Sequence, residues 1–445
     1  MRPSAPAIVF VLAVLSLGGC GSGGEPPAHA AQAKPLAAAG VCDVVLSTDA
    51  AGKRADIAGL QAIAQARGKS LPHLERLGWG FVTAARESAD AGFYTLALQT
   101  ADCIDAGTPA SIEAQLLRAH ALLQQHRFKE AEAAARQLVS RRGSWMDQAV
   151  LGDALLEQGQ LEEAVVAYQA MADERPGPEA YARIAQVRWL TGDLDGAVEF
   201  MTRAARATDN SDRAGTAWYR ARLALLALQS GDPEAALALA RSAEALVPGF
   251  PAGLAAQGRA LLALGRNTEA AAVLRRAALR TGLAEHQWLW LEAARAAGLP
   301  DDAQRAGAEL QRTAAATDPR TYALYLATAG NDPQTALRLA RAELATRADV
   351  QTHDALAWAL FASGDTAQAL AEARRAIALG TADPRLWLHA GLIAARAGHR
   401  TCARNWLARA ARQQAFLLPS ERAWLAPAEA GLHVTQSTHA TPSTT

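Results

Sequence analysis

The chain has 445 residues and a formal net charge of zero, so it has no overall basic field to attract nucleic acid or an anionic membrane surface. Apolar residues make up 50% of the chain and charged residues 20%, which is enough to bury a large core. Most of the apolar residues are Ala and Leu, with few β-branched or aromatic residues. This composition favours helices and argues against a β-rich protein.

The N-terminus has the features of a secretory signal peptide. Arg2 precedes an apolar stretch from Ala7 to Leu17, which is too short for a comfortable membrane-spanning helix. The adjoining sequence Leu17-Gly18-Gly19-Cys20 resembles the lipobox of bacterial lipoproteins. That resemblance implies cleavage before Cys20 and lipidation of Cys20. The alternative is an ordinary cleaved signal followed by an incidental cysteine.

The residues after the cysteine bear on location. Gly21 stands where an Asp marks inner-membrane retention in enteric lipoproteins, so the resemblance implies an anchor in the outer membrane, facing the periplasm. We therefore predict a lipoprotein-type signal peptide over residues 1–20. Residues 21–41, rich in Gly, Pro and Ala, are predicted to form a flexible tether.

A helical lead-in, which we place at residues 42–77, is predicted to cap the first repeat. Cys42 and Cys103 both lie in the N-terminal part of the chain, and an oxidising compartment permits a disulfide between them. A bridge is one possibility and two free thiols are the other. Cys402 is far away in sequence and is predicted to be a small buried residue. No Cys/His cluster predicts a metal site, so we predict no metal and no cofactor.

Residues 78–418 contain a motif that recurs about ten times. One clear copy, LGDALLEQGQLEEAVVAYQA, consists of two short amphipathic segments separated by Gly159. An Ala ends the core of the motif every 33 or 34 residues, with one interval of 39. Twelve residues earlier, most copies have Ala or Gly, and antiparallel helices approach closely only where crossing residues are small. These small positions include Gly152, Ala164, Ala197, Ala236, Gly258, Ala270, Ala303, Ala336, Ala369, Gly391 and Ala403.

This pattern resembles the tetratricopeptide repeat, in which helix A carries Leu-Gly at its middle and helix B carries Ala near its start. The resemblance implies an all-α fold, a right-handed α-solenoid of about ten tetratricopeptide-like helix-turn-helix repeats, over about three quarters of the chain. The copies that match best contain Leu151, Gly152, Ala164, Tyr168 and Pro176, and then Trp387, Gly391, Ala403 and Pro419.

The turns between the two helices of a repeat have matching chemistry. Gly231 is suited to end helix A with a positive φ, Asp232 to cap helix B, and Pro233 to occupy its first turn. The single interval of 39 residues adds about five residues around 207–218. The array is expected to bend or divide there, if it does so anywhere.

Two short segments follow the array. Residues 419–432 predict a C-terminal capping helix, with Trp424 covering the last core. Residues 433–445 have no apolar periodicity and are predicted to be disordered.

Binding residues are selected through the resemblance, which implies that the A helices line a concave face. The positions chosen on their exposed side are aromatic residues and Arg, the types that most often dominate interface energetics. Packing between neighbouring A helices is the alternative role for several of them. The set is Arg183, Trp189, Trp218, Arg222, Trp288, Arg295, Tyr322, Tyr325, Trp358 and Phe361.

The leading hypothesis is a non-catalytic, periplasm-facing lipoprotein scaffold that binds a partner protein or peptide in the concave groove. The expected context is assembly of an envelope, secretion or pilus complex, with membrane attachment through the N-terminal lipid and no nucleic-acid partner. One alternative is small-ligand or glycan binding on Trp rings. Another is an accessory part of an envelope enzyme, but the sequence has no G-x-S-x-G or H-E-x-x-H motif, so we predict no catalysis.

Overall fold

The structure is a computed structural model that describes residues 40–52, 54–88, 90–208 and 212–434. Within these ranges every regular element is helical, which confirms the all-α prediction. None of the helices described there has the length and apolar character needed to cross a bilayer. The predicted signal peptide with Cys20, almost all of the predicted tether, and residues 435–445 lie outside the described residues.

The chain divides into two compact units between Arg175 and Pro176. Residues 207–218, where we placed a possible bend, lie within the second unit, and residues 209–211 are outside the described residues. In the first unit the described helices are α1 (Val41–Leu46), α2 (Ala55–Ala66), α3 (Leu71–Ser88), α4 (Gly92–Gly107), α5 (Ile112–Gln124), α6 (Phe128–Arg141), α7 (Trp145–Glu157) and α8 (Leu161–Glu174).

The described helices of the second unit continue the same order. They are α9 (Pro178–Leu190), α10 (Leu194–Ala207), α11 (Arg213–Gln229), α12 (Pro233–Leu246), α13 (Pro251–Ala263), α14 (Asn267–Thr281), α15 (Ala284–Ala296), α16 (Pro300–Thr317), α17 (Pro319–Ala329), α18 (Pro333–Leu344), α19 (Val350–Ala362), α20 (Thr366–Ala376), α21 (Pro384–Arg396), α22 (Arg400–Arg412) and α23 (Pro419–Val434).

Consecutive helices pack in antiparallel pairs, three pairs in the first unit (α3/α4 to α7/α8) and seven in the second (α9/α10 to α21/α22). We call the first member of each pair its A helix and the second its B helix. The first A helix, α3, begins at Leu71, seven residues before the start that we predicted for the array. Pro72 is tolerated there because the first turn of a helix needs no N–H from that residue.

The lead-in of the first unit is attached covalently to the first repeat. Cys42 of α1 and Cys103 of α4 form a disulfide between residues 61 positions apart. Helix α2 packs on α3 through Ile57, which is fully buried beside Leu77 and Phe81. The lead-in and the first helix pair therefore share one core.

Small residues allow the two helices of a pair to touch. A Cβ on Gly152 would lie 2.4 Å from the Tyr168 ring, and one on Gly258 would lie 2.2 Å from Leu274. The small positions of the B helices are buried, with one exception: Ala303 is half-buried, and Ala306, one turn later on the same helix face, is fully buried instead. The close contact of α16 is thus displaced by one turn from its predicted position.

The turns have the predicted chemistry. Gly231 has a φ of +86°, and Asp232 accepts a hydrogen bond from the Ala235 N–H at 2.9 Å as the N-cap of α12. The same arrangement recurs before α18 with Gly330 and Asp332. Local sequence therefore determines where each A helix ends and each B helix begins.

The second unit curves so far that its first helix pair meets its sixth. The Thr381 hydroxyl donates to the Leu190 carbonyl at 2.9 Å, and the Ala382 N–H donates to the Trp189 carbonyl at 3.0 Å. Gly192 is required at this contact, because a Cβ there would lie 2.5 Å from the Gly380 carbonyl oxygen. The A helices of this unit therefore surround an inner face.

Candidate functional site

The inner face of the second unit is occupied by the C-terminal part of the same chain, residues 414–425, which we call the C-terminal segment. Its single 3₁₀ turn, Gln414–Phe416, packs on α11 and α13, and α23 packs on α15, α21 and α22. Four of these five contacting helices are A helices from four different repeats. The segment therefore crosses the interior of the array, and it does more than cap the last repeat, which is the role we predicted.

The sequence LLPSERAWL explains the local conformation of the segment. Pro419 occupies the first turn of α23, where its missing N–H has no consequence. The Glu421 carboxylate accepts a hydrogen bond from the Leu418 N–H at 2.8 Å. This is the carboxylate half of a capping box, so the helix start is built from residues of the segment itself.

Apolar side chains attach the segment to the inner face. Phe416, Leu417, Leu418 and Leu425 are all buried. Trp424 is half-buried, with its ring centroid 5.4 Å from that of Trp358 on α19. The apolar part of this contact resembles a peptide seated between helices, in which a few large residues fill the interface.

Polar contacts then define the register of the segment. Glu421 is an ion-pair partner of Arg385 on α21, with Oε1 and Nε 2.7 Å apart. On α15, the Glu292 carboxylate accepts hydrogen bonds from both the Ser420 N–H, at 3.1 Å, and the Ser420 hydroxyl, at 2.9 Å. Arg385 and Glu292 come from helices far apart in the sequence. Together they determine which residues of the segment face each helix.

A second arginine contacts the beginning of the segment. Arg259 on α13 donates to the Phe416 carbonyl at 3.4 Å, and its guanidinium carbon lies 4.9 Å from the centroid of the Phe416 ring. It also forms an ion pair with Glu285 on α15 at 3.3 Å. Arg422 in turn donates to the Leu262 carbonyl of α13 at 3.1 Å. Backbone and side chain of the segment are both recognised.

Burial and charge pairing shift the pKa values of these groups in different directions. Burial is the largest influence on Glu421 and opposes its ionisation, but Arg385, the hydrogen bond from the Leu418 N–H, His389 and Arg259 together hold the pKa of this carboxyl below its usual value. Burial raises the pKa of Glu292, although Ser420 stabilises the charged form. For Arg259, burial lowers the pKa of the guanidinium. Among the charged groups of the site, Glu421 and Arg385 are therefore the two for which charge pairing best offsets the cost of burial.

The repeated helix pairs correspond to a known family. The family model described as tetratricopeptide repeat matches residues 116–177, 149–212 and 221–285. Residues 116–212 and 221–285 therefore contain tetratricopeptide repeats. Such repeats generally mediate protein–protein binding and their proteins are generally non-catalytic scaffolds, so the array indicates a protein-interaction scaffold.

Two solved structures are similar to parts of this chain. A chain from a functional characterisation of pilF from Pseudomonas aeruginosa is 16% identical with a TM-score of 0.38, over 48% of this chain and 96% of that chain. A chain from the APC/C hetero-tetramer Cut9–Hcn1 is 16% identical with a TM-score of 0.42, over 72% of this chain and 59% of that chain. No curated protein matches the sequence.

The tetratricopeptide array buries half of the residues that we selected for partner binding. Arg183, Trp189, Trp288, Tyr325 and Trp358 are buried. Their polar atoms are engaged within the array; Trp189 donates to Gln229 at 2.9 Å and Trp358 to Thr328 at 3.1 Å. For these five residues the alternative, packing between neighbouring A helices, describes the observed position.

The other five selected residues have exposed surface. Trp218, Arg222, Tyr322 and Phe361 are half-buried, and Arg295 is exposed. Arg222 donates to Gln186 at 3.2 Å, and burial lowers its pKa to about 10. These residues remain our prediction for partner contacts.

Sequence reasoning selected only part of the observed site. Trp288 and Trp358 do belong to it, because Arg385 lies 5.6 Å from the centroid of the Trp288 ring and Trp358 contacts Trp424. It did not pair Arg385 with Glu421, since nothing in a repeat indicates which distant residue will face it. The signal available was the helix start LPSERAWL, which is amphipathic and follows the last repeat directly.

Proposed function

We propose that this chain is a non-catalytic scaffold, lipid-anchored to the outer membrane and facing the periplasm, that binds a partner protein or peptide at the inner face of its tetratricopeptide array. The observation that carries the proposal is the C-terminal segment itself. A polypeptide of twelve residues lies on that face through apolar, ionic and backbone contacts. A surface built to hold one polypeptide has the chemistry to hold another.

Two features support the location. The Cys20 lipobox favours an anchor, and the Cys42–Cys103 disulfide is typical of proteins exposed to an oxidising compartment. Participation in assembling an envelope, secretion or pilus complex is the biological role that we propose for such an anchored scaffold.

The glycan alternative is less well supported than polypeptide binding. A sugar-binding platform needs exposed aromatic faces, whereas Trp288 and Trp358 are buried; Trp288 meets Tyr325 edge to face, and Trp358 stacks on His389. Both indole N–H groups already donate hydrogen bonds within the protein. These rings stabilise the array and the segment.

The anchor is tested by Cys20→Ala, with Cys402→Ala as the matched control. We expect the first variant to lose lipid labelling and to leave the membrane fraction, and the second to behave as wild type. Membrane association that survives Cys20→Ala would refute the lipid anchor.

Partner binding is tested by photo-crosslinking in cells from single positions. Arg295 and Tyr322, on A helices of the second unit, retain exposed surface, whereas Val166, 71% exposed on a B helix, serves as the control. We expect discrete protein adducts from Arg295 or Tyr322 and none from Val166. Equal labelling from all three positions would contradict a specific inner-face site.

A further inference from the structure

We propose that the C-terminal segment is an internal ligand of the array, which a partner protein replaces with a segment of the same chemistry: an aromatic residue and two leucines, followed by a helix that begins Pro-Ser-Glu and carries an apolar face. This inference rests on the proposed function and names the class of partner segment and the way in which access to the inner face is controlled.

The segment is placed where exchange is possible without unfolding the repeats. It follows α22, the last helix of the array, and within the second unit every earlier helix pair packs on its neighbours in sequence order. The segment adds a second layer of contacts inside these pairs. Its departure would therefore open the inner face and leave each pair with its own partner helix.

The segment is held by polar and charged contacts that select a particular sequence. A core element of the same size could be held by apolar side chains alone, since a buried ion pair contributes little net stability compared with packed apolar residues. Here Arg385 pairs with Glu421, Glu292 accepts from Ser420, and Arg259 donates to a main-chain carbonyl. Such groups discriminate between sequences, because a wrong residue leaves a buried charge without a partner.

The same contacts specify the partner. The Glu at the third helical position has to meet Arg385, and the residue before it has to present an N–H and a hydroxyl to Glu292. The aromatic residue three positions before the Pro lies under Arg259. A partner carrying these groups in this order would satisfy every buried charge that the segment now satisfies.

Competition with the bound segment also determines the affinity that is measured for a partner. While the segment is bound, only the fraction of molecules with an open inner face can bind a partner, and the apparent dissociation constant is raised in inverse proportion to that fraction. A change that weakens the segment should therefore strengthen binding of an added peptide.

The test uses the full chain and a fluorescent peptide of residues 414–428. The Glu421→Arg chain places a cation against Arg385, whereas Ala423→Arg introduces the same cationic side chain at an exposed position of the same helix. We expect the peptide to bind the Glu421→Arg chain roughly tenfold or more tightly than wild type or the Ala423→Arg chain. A peptide that itself carries Glu421→Arg should not bind any of the three.

Two further variants distinguish misfolding of a variant chain from failure of the proposal. Phe416→Ala weakens the segment without changing charge, and Arg385→Glu should recover binding of the Glu421→Arg peptide by exchanging the two charges. Absence of peptide binding by folded Glu421→Arg and Phe416→Ala chains, checked by circular dichroism, would overturn the exchange. Crosslinks from Arg295 or Tyr322 in cells would still stand in that case, so the two proposals fail separately.

A second copy of the chain is the competing occupant. If the Glu421→Arg or Phe416→Ala chain forms a dimer by light scattering, and added peptide does not dissociate it, the exchange with a partner segment is wrong.

Discussion

Arg385 and Glu421 form an ion pair inside the second unit, with Nε and Oε1 2.7 Å apart and the Glu421 side chain 1% exposed. Removing one member leaves the other charge buried, whereas replacing both by apolar residues of similar size removes the charge entirely. We expect Arg385→Met to lower the free energy of unfolding by about 3 kcal/mol. The double variant Arg385→Met/Glu421→Met should recover most of that loss. Denaturant titration measures both; a double variant no more stable than the single one would contradict the pair.

The same pair predicts sensitivity to acid. The pKa of Glu421 is below its usual value in the folded state, so its contribution to stability is fully present above the unfolded pKa of about 4.3 and is lost as the pH falls through the folded pKa. The thermal midpoint of Glu421→Gln should therefore fall less on acidification from about pH 7 to pH 3 than that of wild type. Parallel curves for the two proteins would show that Glu421 is not held ionised by Arg385.

Arg222 is expected to respond in the opposite way to Arg385. It is half-buried, its hydrogen-bond partner Gln186 is neutral, and burial lowers its pKa to about 10. Arg222→Met keeps the apolar stem beside Trp218 and removes a charge that the protein has to desolvate. The thermal midpoint should stay the same or rise, while Arg385→Met lowers it. A clear loss of stability in Arg222→Met would indicate an ionic role.

The disulfide should control the stability of the first unit. Cys42 and Cys103 are 61 positions apart, and the chain-entropy model gives about 4 kcal/mol for closing a loop of this length. Reduction, or Cys42→Ala, should lower the midpoint of one unfolding transition. Cys402→Ser removes a free thiol of the second unit and should leave that transition unchanged. Equal midpoints with and without reductant would mean that the bridge does not stabilise this unit.

Two glycines inside helices should respond with opposite signs to the same substitution. A Cβ at Gly152 would lie 2.4 Å from the Tyr168 ring, so Gly152→Ala should destabilise the protein by about 2 kcal/mol through overpacking. A Cβ at Gly307, within α16, meets nothing within 4 Å, so Gly307→Ala should stabilise by up to about 1 kcal/mol through helix propensity. Denaturation curves that shift in the same direction for both would contradict the packing argument.

The repeat architecture was largely predictable because its causes are local. A positive φ at Gly231, the cap at Asp232 and the close contact at Gly152 each depend on residues within one helix pair. The pattern recurs about every 34 residues, so these local signals are present in about ten copies. A wrong assignment in one copy therefore changes the predicted fold little. The displaced contact at Ala306, in place of Ala303, is an example of such an error.

The candidate site was only partly predictable because exposure on a helix is not a local property. We expected Trp288 and Trp358 on the exposed side of their A helices, and both are buried in the curved array. Arg295 occupies a comparable position and is exposed. Which of them is covered depends on neighbouring repeats and on the C-terminal segment.

The sequence by itself thus determined the helices, their turns and their pairing, since hydrogen bonds and small-residue contacts over one repeat specify them. Only the tertiary structure decided what lies on the inner face. The contact between Glu292 and Ser420 joins residues 128 positions apart, and that between Leu190 and Thr381 joins residues 191 apart. Such contacts result from small rotations added over successive repeats, and no single repeat encodes their sum.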